Sequence, residues 1–412
     1  MKFILTIILV LIFCYLFYLI YKRTLILSSI NNQNNLTSEG FDIMTPAQLK
    51  TAQSTDTLNS IKIIKNLIIT KPTQIKSSSL SSTTSNYPLH QLCIKGCYNS
   101  AYTGSSMTSY GYISIEMLKY VLCRGCRYLD FQVYYLNDTN LNKEVFVGFN
   151  NNNNSSNPLQ INKVNVKLYD MLEAVIINGF LNSASGKNLG LSYSVPNVND
   201  PIFIQIRTHP KSSDKLLLMN AIQTTIQNLR NTYSIYFTKI NLNSFAEGAS
   251  ESKNDVNTYL KDILQKIIFI FEYDLDLYNQ DRTFYKKYMQ DFTILYLDNG
   301  YFRKRLYSEL NKTYYQAYSP KLVQLPDATG SMQPMVNTKE IVVVCPNNDG
   351  NTPPNVNIFS SIRDYGYNIN LIQYYVPDTS TSQIIQRNED LFDSFGFSIV
   401  PLHSAIMYCS YK

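Results

Sequence analysis

Residues 88–104 read PLHQLCIKGCYNSAYTG, and residues 112–135 read YISIEMLKYVLCRGCRYLDFQVYY. The first stretch is an apolar run ending in a turn of small residues. The second opens like a short helix and closes as another apolar run with polar residues at its end. Strands buried on both faces read as continuous apolar runs, and parallel neighbours need a crossover between them. The two stretches therefore predict strand, crossover, strand in a parallel sheet. In such folds chemistry collects at the carboxyl ends of the strands.

The chain has 412 residues, room for one large domain or two ordinary ones with ample apolar content for a core. Asn, Ser, Thr and Tyr are abundant and Trp is absent; runs such as Asn150–Asn154 read as loop insertions. A net charge of +6 is far from the concentrated basic footprint of a nucleic-acid binder, so no nucleic-acid partner is expected, and it suits a chain near an anionic membrane. Seven cysteines in a chain this long do not resemble the framework of a small secreted domain. Cys93, Cys97, Cys123 and Cys126 form two close pairs; they read either as zinc ligands or as small apolar residues at adjacent strand ends. Sequons beginning at Asn35, Asn137, Asn154 and Asn311 are expected by chance in so Asn-rich a chain.

Residues 3–21, FILTIILVLIFCYLFYLIY, carry no charge and are flanked by Lys2, Lys22 and Arg23. This length crosses a bilayer core as a helix, and the absence of a small-x-small cleavage site favours an uncleaved single-pass anchor over a signal peptide. The flanking charges are balanced and leave the orientation open. Residues 24–86 are polar and end in a Ser/Thr-rich run that reads as a flexible tether. Within it Leu58, Ile61, Ile64 and Ile68 recur at near-helical spacing beside Lys62 and Lys65, predicting a short amphipathic helix on the membrane or against the following domain. Thr45-Pro46 predicts another over Ala47–Ala52. From residue 87 to 412 apolar runs alternate with amphipathic stretches, as in α/β folds. Candidate strands are Leu92–Gly96, Tyr128–Val133, Glu144–Val147, Ile202–Ile206, Ile267–Phe271, Phe292–Tyr296, Ile341–Val344 and Ile369–Gln373, with helices over Lys167–Gly179 and Ser213–Thr232. This number of strands predicts a TIM-type (β/α)8 barrel.

The motifs KGCYNSAY, LCRGCRYLDFQ, PIFIQIRTHP, VVVCPNNDG and IIQRNEDLFDSFGFSIVP, in this order, make residues 87–412 resemble the X and Y regions of phosphoinositide-specific phospholipase C, a PLC-like phosphodiesterase barrel. The resemblance implies a site at the carboxyl ends of the strands. Where the family carries two catalytic histidines, this chain has Tyr98 and Phe149; the unperturbed tyrosine pKa is near ~10 and phenylalanine has no proton, so neither replaces a group that exchanges protons near neutral pH. Of the family's calcium ligands, Asn99 and Asp130 are retained, while the other two acids become Gln132 and Arg207. A hard cation needs several anionic oxygens, and a guanidinium repels it; calcium is expected to be lost and no cofactor is expected, Arg207 pairing with Asp130 in its place. The family's phosphate-binding positions fall on Ile270, Glu272, Val343 and Cys345, which disfavour a polyphosphorylated headgroup. His90, His209 and His403 lie outside the site positions and are expected to be structural.

The resemblance with these departures implies a membrane-anchored, catalytically inactive barrel that serves as a binding or structural module, its partners the lipid bilayer and a phospholipid or a protein. The alternative is an active, calcium-independent phosphodiesterase on phosphoinositides or other phosphodiesters, with Tyr98, Asp130 and Arg207 as its working set. A third reading, from the Asn-rich composition and the anchor, is a structural component of a large DNA virus, placing the chain in a virion or host membrane.

Overall fold

Bursts of β-branched and aromatic residues become strands where the pleated backbone lets them pack on both faces. The computed structural model describes residues 57–62, 64, 73–78, 84–104, 113–136, 144–149, 166–181, 194–208, 215–237, 258–272, 292–296, 302–306, 322–323, 336–337, 341–346, 357–376 and 383–412. In chain order the elements are β1 (Leu92–Cys97), α1 (Ile115–Cys123), β2 (Tyr128–Leu136), β3 (Glu144–Gly148), β4 (Val166–Lys167), α2 (Leu168–Gly179), β5 (Ile202–Thr208) and α3 (Lys215–Thr232). They continue with β6 (Ile267–Glu272), β7 (Thr293–Tyr296), β8 (Phe302–Leu306), β9 (Leu322–Val323), β10 (Val336–Asn337), β11 (Ile341–Cys345), α4 (Ile358–Tyr365), β12 (Ile369–Ile372), α5 (Ile384–Phe395), β13 (Ile399–Pro401) and α6 (Leu402–Tyr411).

Around the main sheet the order β1, β2, β5, β6, β7, β8, β11, β12 returns to β1, with every neighbouring pair parallel. This is a closed cylinder traced in chain order, the TIM-type topology that the sequence predicts. Helices fill the crossovers from β1 to β2, β2 to β5, β5 to β6 and β11 to β12: α1 begins where the Ser114 hydroxyl accepts the Glu116 N–H at 3.1 Å, a cap that satisfies an otherwise orphaned donor. The last two crossover helices, α4 and α5, stop at Gly366 (φ 63°) and Gly396 (φ 71°), left-handed positions that cost glycine little.

Alternation along the staves divides the core. Ile94, Tyr128, Phe203, Ile268, Ile270, Phe302, Ile341, Val343, Ile369 and Leu371 form one buried cluster inside the cylinder. Leu129, Phe131, Ile204, Ile206, Phe269 and Phe271 belong to a second, packed beneath α1, α2 and α3. Gly96 sits where a Cβ would come within 2.7 Å of Leu371, so the interior is narrow at that level. All four paired cysteines are buried free thiols: Cys93 packs with Val400 and Cys409, and Cys97, Cys123 and Cys126 pack under α1.

One stave differs from expectation. Glu144–Val147 is not in the ring: β3 runs antiparallel to β2, with Gln132 opposite Gly148, and continues into β4 as a flap outside it. The missing stave is β8, whose sequence FRKRL hides it. Phe302 and Leu306 frame three cations, and only residues 297–301 separate it from β7, too few for the helical crossover expected between parallel strands. Its charge is tolerated because Lys304 pairs with Glu272 of β6 at 2.6 Å.

Part of the stretch read as a tether lies on the barrel. Residues 57–62 and 64 are helical, and Ile64 is fully buried in the larger core cluster while Leu58 is exposed. Ile75 is buried beside Leu391 and Phe392, and Lys76 bridges to Phe397. Ser78 donates its N–H to Asp200 at 2.6 Å and its hydroxyl to the same carboxylate at 3.1 Å. No helix among the described residues is long and apolar enough to cross a membrane; the anchor expected at 3–21 and the helix expected at 47–52 lie outside the described residues.

Candidate functional site

The carboxyl ends of β1, β2 and β5 meet around Asp130, an acid with no exposed surface. The turn after β1 is folded onto it. Asn99, in the left-handed region at φ 46°, points its N–H at the Asp130 carboxylate (2.9 Å), and Ser100 receives the Asp130 N–H on its hydroxyl (3.0 Å) while donating its own N–H to the Asp130 carbonyl (2.9 Å). Asparagine tolerates this backbone region better than most residues, so the N-S pair after Tyr98 suits the turn.

Arg207 reaches this carboxylate from β5. Its Nε and Nη2 donate to the two Asp130 oxygens at 2.7 and 2.8 Å, a bidentate fork, and Nη2 also donates to the Asn99 side-chain carbonyl. The guanidinium lies over the Tyr98 ring, 4.4 Å from its centroid, and is 3% exposed. Burial by itself would lower the Arg207 pKa, but Asp130 outweighs it and holds the cation well above its ordinary range. Gln132 is buried beside them, opposite Arg207 in the β2–β5 register. The pairing of Arg207 with Asp130 is as expected from sequence.

Phe149, one residue past β3, closes the same end. It stacks on Tyr102 at 3.9 Å with 10° between the planes, and Tyr375 meets both edge-on at 4.8 and 6.4 Å. Gly104 passes so close to Tyr375 that a Cβ there would stand 2.7 Å from its carbonyl oxygen, so a glycine is needed to bring the two loops together. Tyr98, Asn99, Asp130, Gln132, Phe149 and Arg207 thus converge at one mouth, each at most 9% exposed.

Tyr98, Tyr375, Cys345 and Lys304 are shifted away from neutrality or held there. Burial pushes the Tyr98 and Tyr375 phenols upward, and raises the Cys345 thiol to about 12. Lys304, which burial would lower, is held up by Glu272. His90 and His403 are at the other end of the barrel: His90 precedes β1 and lies against Gln91, and His403 follows β13 with its ring 5.7 Å from Tyr87. His209 lies outside the described residues.

The donor set does not fit calcium. Of the expected ligand positions one carboxylate is left, and both its oxygens are taken by Arg207, while Glu272 is engaged by Lys304. Among the described residues no three His, Cys, Asp or Glu side chains gather to hold a metal ion. Sequence reasoning missed Tyr102 and Tyr375 as parts of the mouth, and Lys304 with them. The signal for Tyr375 is the doublet Tyr374-Tyr375 one residue beyond β12: neighbouring side chains diverge there, Tyr374 to Glu389 (2.6 Å) and Tyr375 to Asn99 (3.4 Å).

No protein-family model matches the chain, and no curated protein does. Among solved structures it is similar to L. pealei PLC21, with 11% identity and a TM-score of 0.45 over 77% of this chain and 37% of that one. It is also similar to a calcium-dependent phosphoinositol-specific phospholipase C from a Gram-negative Pseudomonas sp (13%, TM-score 0.42, 80% of this chain and 99% of that one). A third is a glycerophosphodiester phosphodiesterase from Parabacteroides distasonis (10%, TM-score 0.35, 72% and 98%). The chain spans little more than a third of the length of the PLC21 structure it matches.

Proposed function

We propose that this chain is a phospholipase-C-like barrel without catalysis, tethered to a membrane through its amino-terminal apolar segment and serving as a binding or structural module. One observation carries the reading: the Arg207 guanidinium is buried at this mouth, clamped by Asp130 and Asn99 over the Tyr98 ring, while Asn99 is bonded in turn to Tyr375 of the cluster with Tyr102 and Phe149. Phosphodiester cleavage by an internal hydroxyl needs one group to take its proton and another to protonate the leaving oxygen. The phenols and the thiol at this mouth hold their protons far above neutral pH, and Phe149 has none to give. Calcium has no place in this reading, because Arg207 supplies the compensating charge for Asp130.

The test is headgroup release by the full chain in mixed lipid–detergent micelles of phosphatidylinositol and its phosphorylated forms, with calcium and with a chelator. The expected result is release indistinguishable from buffer in every condition. The Arg207–Asp130 pairing also favours one competing reading, a metal-free phosphodiesterase in which Arg207 stabilises the phosphate. Release that survives chelator and disappears in Arg207→Ala would establish that reading and overturn the inactive one.

A further inference from the structure

At the end of the barrel opposite Arg207, α2 finishes on Phe180 and α3 runs into residues 234–236, and the Phe180 and Tyr236 rings stack at 4.8 Å. This end is fixed by Gly179, where a Cβ would strike Ile202, the first residue of β5, at 2.5 Å. On the flanks of the stack Leu181 and Ile235 stay 52% and 67% exposed, two of the most exposed large apolar side chains among the described residues. Cations lie at the same end of the barrel. Lys266 donates to the Ile235 carbonyl, Arg230 lies over Phe237, Lys261 lies 5.2 Å over the half-buried Tyr259 ring, and Lys76 is exposed beside Phe397. Several acids share this end: Asp262 accepts the Tyr259 N–H, Asp393 accepts Thr73 and Gln74, Asp200 is buried against Ser78, and Asp364 is paired with Arg363.

We infer that this amino-terminal end of the barrel is the face laid against an anionic lipid surface, Leu181 and Ile235 entering the headgroup boundary and Lys76, Lys261 and Lys266 meeting lipid phosphates. Apolar side chains ringed by lysine and tyrosine suit that boundary, where anionic lipid attracts each basic residue. Two further observations select a lipid surface as the occupant. At the opposite mouth Arg207 and Lys304 are already paired, with Asp130 and Glu272, so neither cation is free to meet a lipid phosphate. Thr73, downstream of the apolar segment at 3–21, is hydrogen-bonded to Asp393 on this same face, at 2.6 Å. The inference rests on the membrane-associated reading above and adds an orientation to it.

The test mixes the full chain with neutral phosphatidylcholine vesicles or with vesicles containing about 30 mol % phosphatidylserine. Vesicle flotation reads association, and hydroxyl-radical footprinting reads Leu181, Ile235 and Tyr259 against Tyr135 and Phe146, partly exposed at the opposite end. Expected is a severalfold protection of the first three on anionic vesicles, none at Tyr135 and Phe146, and loss of most of it in Lys76→Glu/Lys261→Glu, whose unchanged melting temperature excludes misfolding. Protection centred on Tyr135 and Phe146, or equal protection on neutral vesicles, overturns the orientation alone. A chain that fails to float with either vesicle overturns it together with the membrane reading.

Discussion

At the scale of single residues, buried charges decide more than apolar contacts do. Removing one partner of a buried ion pair strands the other in a medium that cannot solvate it, at a cost of roughly 3–5 kcal/mol. Arg207→Met is therefore expected to lower unfolding free energy by about that amount, and adding Asp130→Asn to recover much of the loss. A double-mutant cycle by urea denaturation measures the coupling; additive losses would refute the clamp. Asp200 behaves in the opposite sense. Burial raises its pKa from the ordinary 3.8 to about 6, so the folded chain holds this proton more tightly than the unfolded one. This proton stabilises the fold fully below the unfolded value, and the stabilisation is lost as pH rises through about 6, a change on the order of 3 kcal/mol. Asp200→Asn, which keeps an acceptor for Ser78, is expected to flatten stability between these pH values, and an unchanged slope would show that the proton is held elsewhere.

At the scale of elements, what the sequence makes legible follows how each strand resolves its charge. Seven staves are readable because apolar residues outnumber polar ones in each of them, as in IFIQI or IVVVC. The eighth, β8, is not, because the acid that offsets Lys304 stands on β6, far away in sequence. β3 was misassigned for the converse reason, an apolar alternation that serves a flap instead of the ring. Helix α5 shows the same long-range logic. Glu389 is fully buried and accepts from Lys95 of β1 (2.7 Å), from Arg124 after α1 and from Tyr374 after β12 (2.6 Å), so one side chain ties α5 to the first strand. Burial would raise its pKa, but Lys95 and Arg124 outweigh burial and lower it. Its contribution is thus present above the unfolded carboxylate range and lost as pH falls. Glu389→Gln leaves two buried cations facing each other and is expected to cost roughly 3–5 kcal/mol and to raise amide exchange along α5 ahead of α2 and α3. Uniform exchange across all the helices would contradict a local clasp.

At the scale of the whole molecule, the site was half legible. Asp130, Asn99 and Arg207 could be placed because each lies on a readable strand or just after one, whereas the aromatic cluster depends on loops brought together only by closure of the ring. The amino-terminal boundary was illegible for a related reason. Ser and Thr signal a solvated tether when only local composition is visible, yet Ser77 and Ser78 spend their hydroxyls on Asn199 and Asp200 more than a hundred residues away. The barrel's first strand therefore does not mark where the folded unit begins. A chain starting at residue 87 discards the burial of Ile64 and Ile75, 0% and 4% exposed, and leaves Asp200 without the Ser78 donors. Burying an isoleucine contributes about 1.5–3 kcal/mol, so the two together with the stranded carboxylate amount to on the order of 5 kcal/mol. A chain starting at residue 57 keeps all three. Urea midpoints of the two shortened chains are expected to differ by that margin, with the longer one the more stable. Coincident midpoints would mean that residues 57–78 only rest on a barrel already complete without them.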